Sequence, residues 1–291
     1  MSWQFLIHII ISSCIFALMA SGFRFFVKLK GTIDFSYLGL IIFGTYATVL
    51  LHLHLGRGML LSMCVAFVLS LFFTVFILFL SARLQDIYFA AGTLAFYLLI
   101  NQLSYNLDNV TGGSLGLSGI DRVVFATWSI GSLEGYFLLM IVVVLCVMIL
   151  LFVFARSYLY TMLQAWGENI LIVRSLGIRI HYIKLVLIVL TTFLAVLGGG
   201  LYAFYYQFID PGAFWIGLVV LLLAIVFLSY NMSYIGLFGV SFVLTLVYEY
   251  LRFFKIFDAG DIWYIREGLF ALIVMVAARA VFRRWLFHRN Q

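Results

Sequence analysis

The chain of 291 residues is 66% hydrophobic and only 10% charged, whereas soluble domains are about 45–50% apolar and about 25% charged. That balance excludes a water-soluble globular domain, because so many apolar side chains cannot all be withdrawn from water. The net charge of +6 matches a basic bias toward a leaflet of anionic lipid and calls for no nucleic-acid partner.

Within lipid each backbone amide has to be paired inside its own segment, which leaves helices or a closed barrel. Runs such as Ile141 to Phe154 and Leu185 to Phe204 are continuously apolar, without the alternation of barrel strands. The expected fold class is therefore all-α, a polytopic transmembrane helical protein of about nine spans (eight to ten) in one domain, residues 1–291. The first run, Phe5 to Phe23, follows a start without the positively charged flank of a secretory signal and reads as a span. Phe35 to Leu53, Met59 to Leu80 and Ile87 to Leu103 come next, each near the roughly 20 residues that cross a hydrocarbon core. A long loop, residues 104–134, precedes Gly135 to Phe154, and a second, 155–184, precedes Leu185 to Phe208. Phe214 to Leu228, Tyr234 to Leu251 and Tyr264 to Phe282 complete the order, with the second and seventh runs the ones expected to be broken or re-entrant. Cys14, Cys64 and Cys146 fall in separate runs, where a thiol packs as a small hydrophobe and sets up no disulfide or metal framework.

An odd number of spans puts the termini on opposite sides. With the C-terminus inside, only Arg57, Arg122, Arg252, Lys255 and Arg266 of the 17 basic residues lie outside. The positive-inside rule thus favours N-terminus out and C-terminus in. Trp3, Trp128, Trp215 and Trp263 then sit near outer ends, and Trp166 and Trp285 near inner ones, at the interfacial depth that indole prefers.

Several motifs follow one another along the chain: GTIDFSYLGLIIFGTYA (Gly31 to Ala47), RLQDIYFAAGTLAF (Arg83 to Phe96), TGGSLGLSGI (Thr111 to Ile120), GENILIVRSLGI (Gly167 to Ile178), GGGLYA (Gly198 to Ala203) and FIDPGAF (Phe208 to Phe214). In this order and at these separations the sequence resembles the permease subunits of branched-chain amino-acid ABC importers, the leucine/isoleucine/valine class. The resemblance runs from about Gly31 to Arg252. It departs at LSYNMSYIGLFG (Leu228 to Gly239), where the family usually carries a glycine-rich stretch ending in Trp-Gly-Pro, and the departure bears on substrate more than on fold.

The resemblance implies a non-catalytic transport subunit in the bacterial inner (plasma) membrane. It implies no bound cofactor, two partner ABC ATPase subunits that hydrolyse ATP, a second permease chain, an extracytoplasmic substrate-binding protein and surrounding lipid. The cargo it implies is a branched-chain or other hydrophobic amino acid, or a related small amide such as urea. No G-x-x-x-x-G-K-[ST] phosphate loop occurs in the chain.

The residues themselves carry part of this reading. Loop 155–184 is expected to be cytoplasmic, and Met162 to Leu176 mixes polar and apolar positions so that a short helix lies at the interface with one face toward a partner. Glu168, Asn169, Arg174 and Gly177 are its candidate ATPase-coupling residues; the alternative is an amphipathic connector resting on the membrane. Loop 104–134 is expected outside, where Thr111, Gly112 and Gly113 turn tightly and offer amides to a ligand, or form a plain surface turn. Gly44, Tyr46 and Asn101 are candidates for the translocation path. Gly198, Gly199 and Gly200 are read as close helix packing. His8, Glu249, Asn101 and Gln102 lie near span ends, which favours structural roles, and His52 with His54 lacks further metal ligands.

Two other functions fit a polytopic protein. A membrane-embedded lipid-modifying enzyme needs clustered acids, histidines or cysteines, and the 11 acidic residues and 5 histidines are scattered. An ion-coupled secondary transporter often places charge at mid-membrane, and no intramembrane carboxylate pair is apparent.

Overall fold

The computed structural model describes residues 3–30, 34–56, 58–84, 86–120, 124–125, 128–129, 132–168, 173, 180–251, 268–277 and 279. The helices are α1 (Trp3–Lys30), α2 (Ser36–Leu55), α3 (Met59–Arg83), α4 (Asp86–Asn106), the single turn α5 (Asp108–Thr111), α6 (Leu133–Ala155), the short α7 (Tyr158–Glu168), α8 (Ile180–Tyr206), α9 (Ile216–Leu228), α10 (Tyr234–Leu251) and α11 (Gly268–Ala277). Among the described residues, strand structure is confined to a two-residue hairpin, β1 (Val124–Phe125) with β2 (Trp128–Ser129), and one bridge between Leu117 and Ile209. Among the described residues, seven helical segments are long and apolar enough to cross a membrane, and Tyr234–Tyr250 and Gly268–Ala277 are shorter apolar helices. Each coincides with one of the nine runs read from the sequence, so the protein is an all-α polytopic membrane protein.

The two runs expected to be irregular behave differently. The second is an unbroken helix, stopped at Gly56, whose φ of 57° lets its N–H reach back to the His52 carbonyl. The seventh opens with a 3-10 turn, Pro211–Phe214, and an extended Trp215 before α9 begins. Proline at the first position of that turn has no N–H to leave unpaired.

α1, α2 and α8 make the centre, with α3 and α4 against α2 and with α6, α7, α9 and α10 against α1. Their side chains decide this order. α6 is almost wholly apolar and turns Leu138, Val142, Leu145, Ile149 and Phe152 outward, the mark of a lipid-facing helix. α8 carries Gly198, Gly199 and Gly200 in a row, and at about 100° per residue they face three different neighbours. A Cβ at Gly198 would meet Met19 Cγ of α1 at 2.8 Å, one at Gly199 would meet Thr45 Oγ1 of α2 at 2.1 Å, and one at Gly200 would meet Met63 Cε of α3 at 2.7 Å. The packing role expected for the triplet is the one found, with each glycine letting a different helix come close.

Gly199→Ala is the severest of the three. Thr45 is held by its own bond to the Ile41 carbonyl at 2.7 Å, and that carbonyl oxygen stands 3.0 Å from the added methyl, so α2 and α8 have to separate. Overpacking of this kind costs about 1–3 kcal/mol. The variant is expected to melt at lower temperature in detergent, whereas Gly239→Ala, with nothing within 4 Å, should match the parent; equal melting of both would place the helices further apart than described.

Polar groups inside the bundle are used to tie helices together. Tyr37 Oη donates to the Met19 carbonyl (2.7 Å), Tyr136 Oη to Leu201 (2.7 Å), Ser241 Oγ to Ser13 (2.8 Å), and Thr74 and Thr192 hydroxyls meet at 3.0 Å. In apolar surroundings a hydroxyl without a partner is costly, so each bond fixes a helix pair in register.

Candidate functional site

Two clusters of loops stand at opposite ends of the bundle. At the first end, α4 runs into the helical turn α5 and the glycine-rich segment. Gly112, Gly113, Gly116 and Gly119 all have φ between 55° and 80°, the left-handed region that glycine enters without penalty. A Cβ on Gly116 would strike the Ile209 carbonyl at 2.2 Å, and beside it Leu117 and Ile209 exchange both backbone bonds at 2.8 and 3.1 Å. The segment is therefore locked onto residues 209–215. Thr111 is buried and donates to the Ser104 and Leu107 carbonyls (2.8 and 2.9 Å). The Gly112 and Gly113 amides are used within the loop, on Asp108 O and Thr111 Oγ1.

The 3-10 turn Pro211–Phe214 is tied to α4 by Tyr97 Oη, which donates to the Phe214 carbonyl at 2.9 Å. Among the described residues, two cavities border the turn and a third lies along α4. An apolar groove of about 510 Å³ runs between α2, α3 and α4, with Tyr46, Phe73, Leu103 and Thr111 in its wall. A wide cleft of about 530 Å³ is bordered by Gln102, Tyr105, Gly212 and Trp215. A smaller pocket of about 190 Å³, sharing Gly212 and Trp215 with the cleft, is walled by aromatic rings and Glu249. His8 Nδ1 lies 2.6 Å from Tyr205 Oη, and Ser12 Oγ lies 3.1 Å from Tyr206 Oη. The start of α1 and the ends of α4, α8 and α10 thus meet at one end.

The three path candidates separate. Tyr46 lines the apolar groove, and among the described residues its buried hydroxyl has no hydrogen-bond partner. Asn101 is fully buried on α4, and among the described residues neither its Oδ1 nor its Nδ2 is paired. α2 and α4 share one register, with Phe35 N bonded to Thr93 Oγ1 and Gly39 against Tyr97, which sets Asn101 one turn before the level of Tyr46. Gly44 faces elsewhere: a Cβ there would meet Val196 Cγ2 at 2.7 Å and Val196 Cα at 3.1 Å. It admits α8, not a cavity. What sequence reasoning did not single out is the aromatic wall of Phe16, Tyr202, Tyr206 and Tyr248; its signal was the run YAFYYQF at the end of an apolar span.

At the other end, α7 lies against α1 and α8 with Leu163 and Trp166 buried, Tyr158 exposed, and Lys184 Nζ over the Trp166 ring at 5.5 Å. Glu168 closes α7; Asn169, Arg174 and Gly177 lie outside the described residues. Beside α7, Arg24 of α1 is buried and donates to the Tyr230 and Ser233 carbonyls at 3.4 Å and to Met232 O. It also stacks over Tyr234 at 5.3 Å. Phe25 touches Phe154 at the foot of α6 and Tyr234 at the start of α10. Burial pushes the Tyr160 phenol of α7 up, opposed by the Arg24 guanidinium and a hydrogen bond with Gln164. Among the described residues no group of three or more His, Cys, Asp or Glu side chains is placed to hold a metal ion.

Residues 5–280 match the family described as branched-chain amino acid transport system / permease component. The chain belongs to that family. Among curated proteins it is 25% identical over 282 residues to the high-affinity branched-chain amino acid transport system permease protein LivM of Escherichia coli (strain K12), and 26% identical to that of Salmonella typhimurium (strain LT2). Each match covers 87% of this chain and 66% of the relative, so the chain spans just under two thirds of their length. No solved structure matches the chain. The family is one of transport components, and the resemblance read from the motifs is the family found.

Proposed function

We propose that the protein is the non-catalytic membrane-spanning subunit of an ABC importer in the bacterial inner membrane. It carries a branched-chain or other hydrophobic amino acid, or a small amide such as urea, inward. The observation that carries this reading is the family match across residues 5–280. The fold supports it with a partly amphipathic α7 seated on α1 and α8, the two most central helices it could move.

In this reading loop 155–184 docks on an ATPase, with Glu168, Asn169, Arg174 and Gly177 as the coupling residues, and the two ATPase subunits of the assembly alone hydrolyse ATP. A displacement of α7 reaches α1 through Phe154, Phe25 and Arg24, and through Tyr234 reaches α10. A second permease chain completes the path, and an extracytoplasmic binding protein delivers cargo to the end formed by Thr111, Gly112, Gly113 and residues 209–215. Tyr46 and Asn101, two of the residues with buried polar atoms left unpaired among the described residues, stand on the path and meet the cargo's polar atoms; Gly44 sets the spacing of α2 and α8 behind them.

Uptake of labelled leucine and urea into proteoliposomes holding the chain with its ATPase and binding protein tests the function. ATP-dependent accumulation of either is expected, and accumulation driven by an ion gradient without ATP would favour a secondary transporter. The proposed orientation has its own check. A cysteine at Ser114 should react with an impermeant maleimide added from outside intact spheroplasts, and labelling only from the cytoplasmic side would invert the topology.

A further inference from the structure

The apolar groove between α2, α3 and α4 is built from hydrocarbon. It holds about 510 Å³ and follows α2 from Ile42 to His54, roughly 18 Å at 1.5 Å per residue. The three hydroxyl side chains in its wall are withdrawn from it. Ser104 Oγ donates to the Asn101 carbonyl at 2.6 Å, Thr111 Oγ1 donates to the Ser104 carbonyl at 2.8 Å, and the Tyr46 hydroxyl is itself buried, which leaves its ring to the groove. His54, exposed in the last turn of α2, stands at one end. Along the side, Leu69 of α3, Leu103 of α4, Leu107 and Val110 line the groove and are each 44–48% exposed. The groove therefore opens onto the surface formed by the outward apolar residues of α3 and α4, Phe72 and Leu99 among them, and that surface faces lipid.

Chemistry and width select the occupant. An amino acid brings an ammonium and a carboxylate, and urea brings amide groups; each would be left without a partner against such a wall, at high cost. A helix of a neighbouring chain measures about 10–12 Å across with its side chains. Spread along roughly 18 Å, the 510 Å³ make a channel only about 6 Å wide. Neighbouring carbon groups pack at about 3.5–4.0 Å, so a single hydrocarbon chain fills that width and a helix does not enter it. The depth agrees, because one leaflet is about 15 Å, half of a hydrocarbon core of about 30 Å. We propose that the groove between α2, α3 and α4 is a binding site for one acyl chain of a membrane phospholipid, drawn from the leaflet on the loop-rich side. The chain enters sideways past Leu69 and Leu103, and its headgroup lies at the level of His54 and Thr111.

The test is photolabelling of the full chain in nanodiscs of phosphatidylethanolamine and phosphatidylglycerol, with a trace of phosphatidylethanolamine that carries a diazirine midway along one acyl chain. Label is expected to concentrate on residues 42–54 and 100–111, at least fivefold above the outward positions of α6. Leu103→Trp should cut the label on residues 42–54 at least tenfold and leave that on α6 unchanged, while Leu145→Trp on α6 leaves the groove labelled as before. The distribution on the unaltered chain decides the matter even if a variant fails to fold. Label spread evenly over the groove and α6, or a groove label untouched by Leu103→Trp, would overturn the site. Loss of the groove label on adding leucine or urea would give the groove to cargo, and loss on assembly with a second permease chain would give it to a protein neighbour; either removes the lipid site. Uptake plays no part in the readout, so the transport reading stands or falls separately.

Discussion

Arg24→Met is expected to be the most destabilising single change in the bundle. The guanidinium is buried and forks onto the Tyr230, Met232 and Ser233 carbonyls, just past the last turn of α9. Those oxygens lie in the elbow between α9 and α10, where Ser233 O also accepts from Leu237 N at 3.1 Å. Methionine fills much of the space but leaves three carbonyls facing an apolar side chain. A hydrogen bond to a charged group contributes about 1.5–3 kcal/mol, and an unmade bond in a buried place is costly. Even after the relief of no longer burying a charge, the loss should be on the order of 3 kcal/mol. Arg24→Lys should fall between, because an ammonium cannot span the fork. Thermal unfolding in detergent reads this directly, and an unchanged Tm for the methionine variant would mean that the elbow between α9 and α10 holds itself.

The second large effect belongs to α7 and to the function proposed for it. Leu163 is fully buried on that helix, so Leu163→Asp places a carboxylate between α7 and its neighbours and detaches it. Glu168→Arg closes the same helix with reversed charge at a position next to the proposed docking surface. The first should lower both stability and ATP-driven uptake. The second should insert and melt like the parent yet lose at least tenfold in permease-stimulated ATP hydrolysis and in uptake. That difference separates a coupling helix from a connector. If Glu168→Arg hydrolyses ATP and imports cargo like the parent, the loop does not couple.

The spans were legible because membrane burial leaves a mark in one dimension. A continuous run such as Ile141 to Phe154 needs no tertiary information to be read, and the helices of the structure lie on those runs. The site was legible only in part. Asn101 and Tyr46 stand out as polar groups in apolar stretches, and the structure finds both buried and unpaired. Gly44 was ambiguous in principle, since a missing side chain serves a pore and a close helix contact equally; only Val196 across from it decides between them. The aromatic pocket left only the tyrosines of YAFYYQF as a signal. Phe16, Tyr202 and Glu249 come from three helices far apart in sequence, and tyrosine within an apolar span hardly alters its polarity.

The bridge between Leu117 and Ile209 also bears on how the chain is made. Synthesis proceeds from the N-terminus, and domains organise as their residues emerge. When the segment around Gly116 is first made, the carbonyl it has to sit against does not yet exist. Leu117 can gain its partner only after α6, α7 and α8 have been synthesised and inserted. The first four spans must therefore wait in the membrane with an unfinished loop, and the arrival of Ile209 closes the two halves onto each other. A ribosome-stalled chain ending before residue 209 should leave residues 112–117 open to protease, and one stalled well after it should protect them.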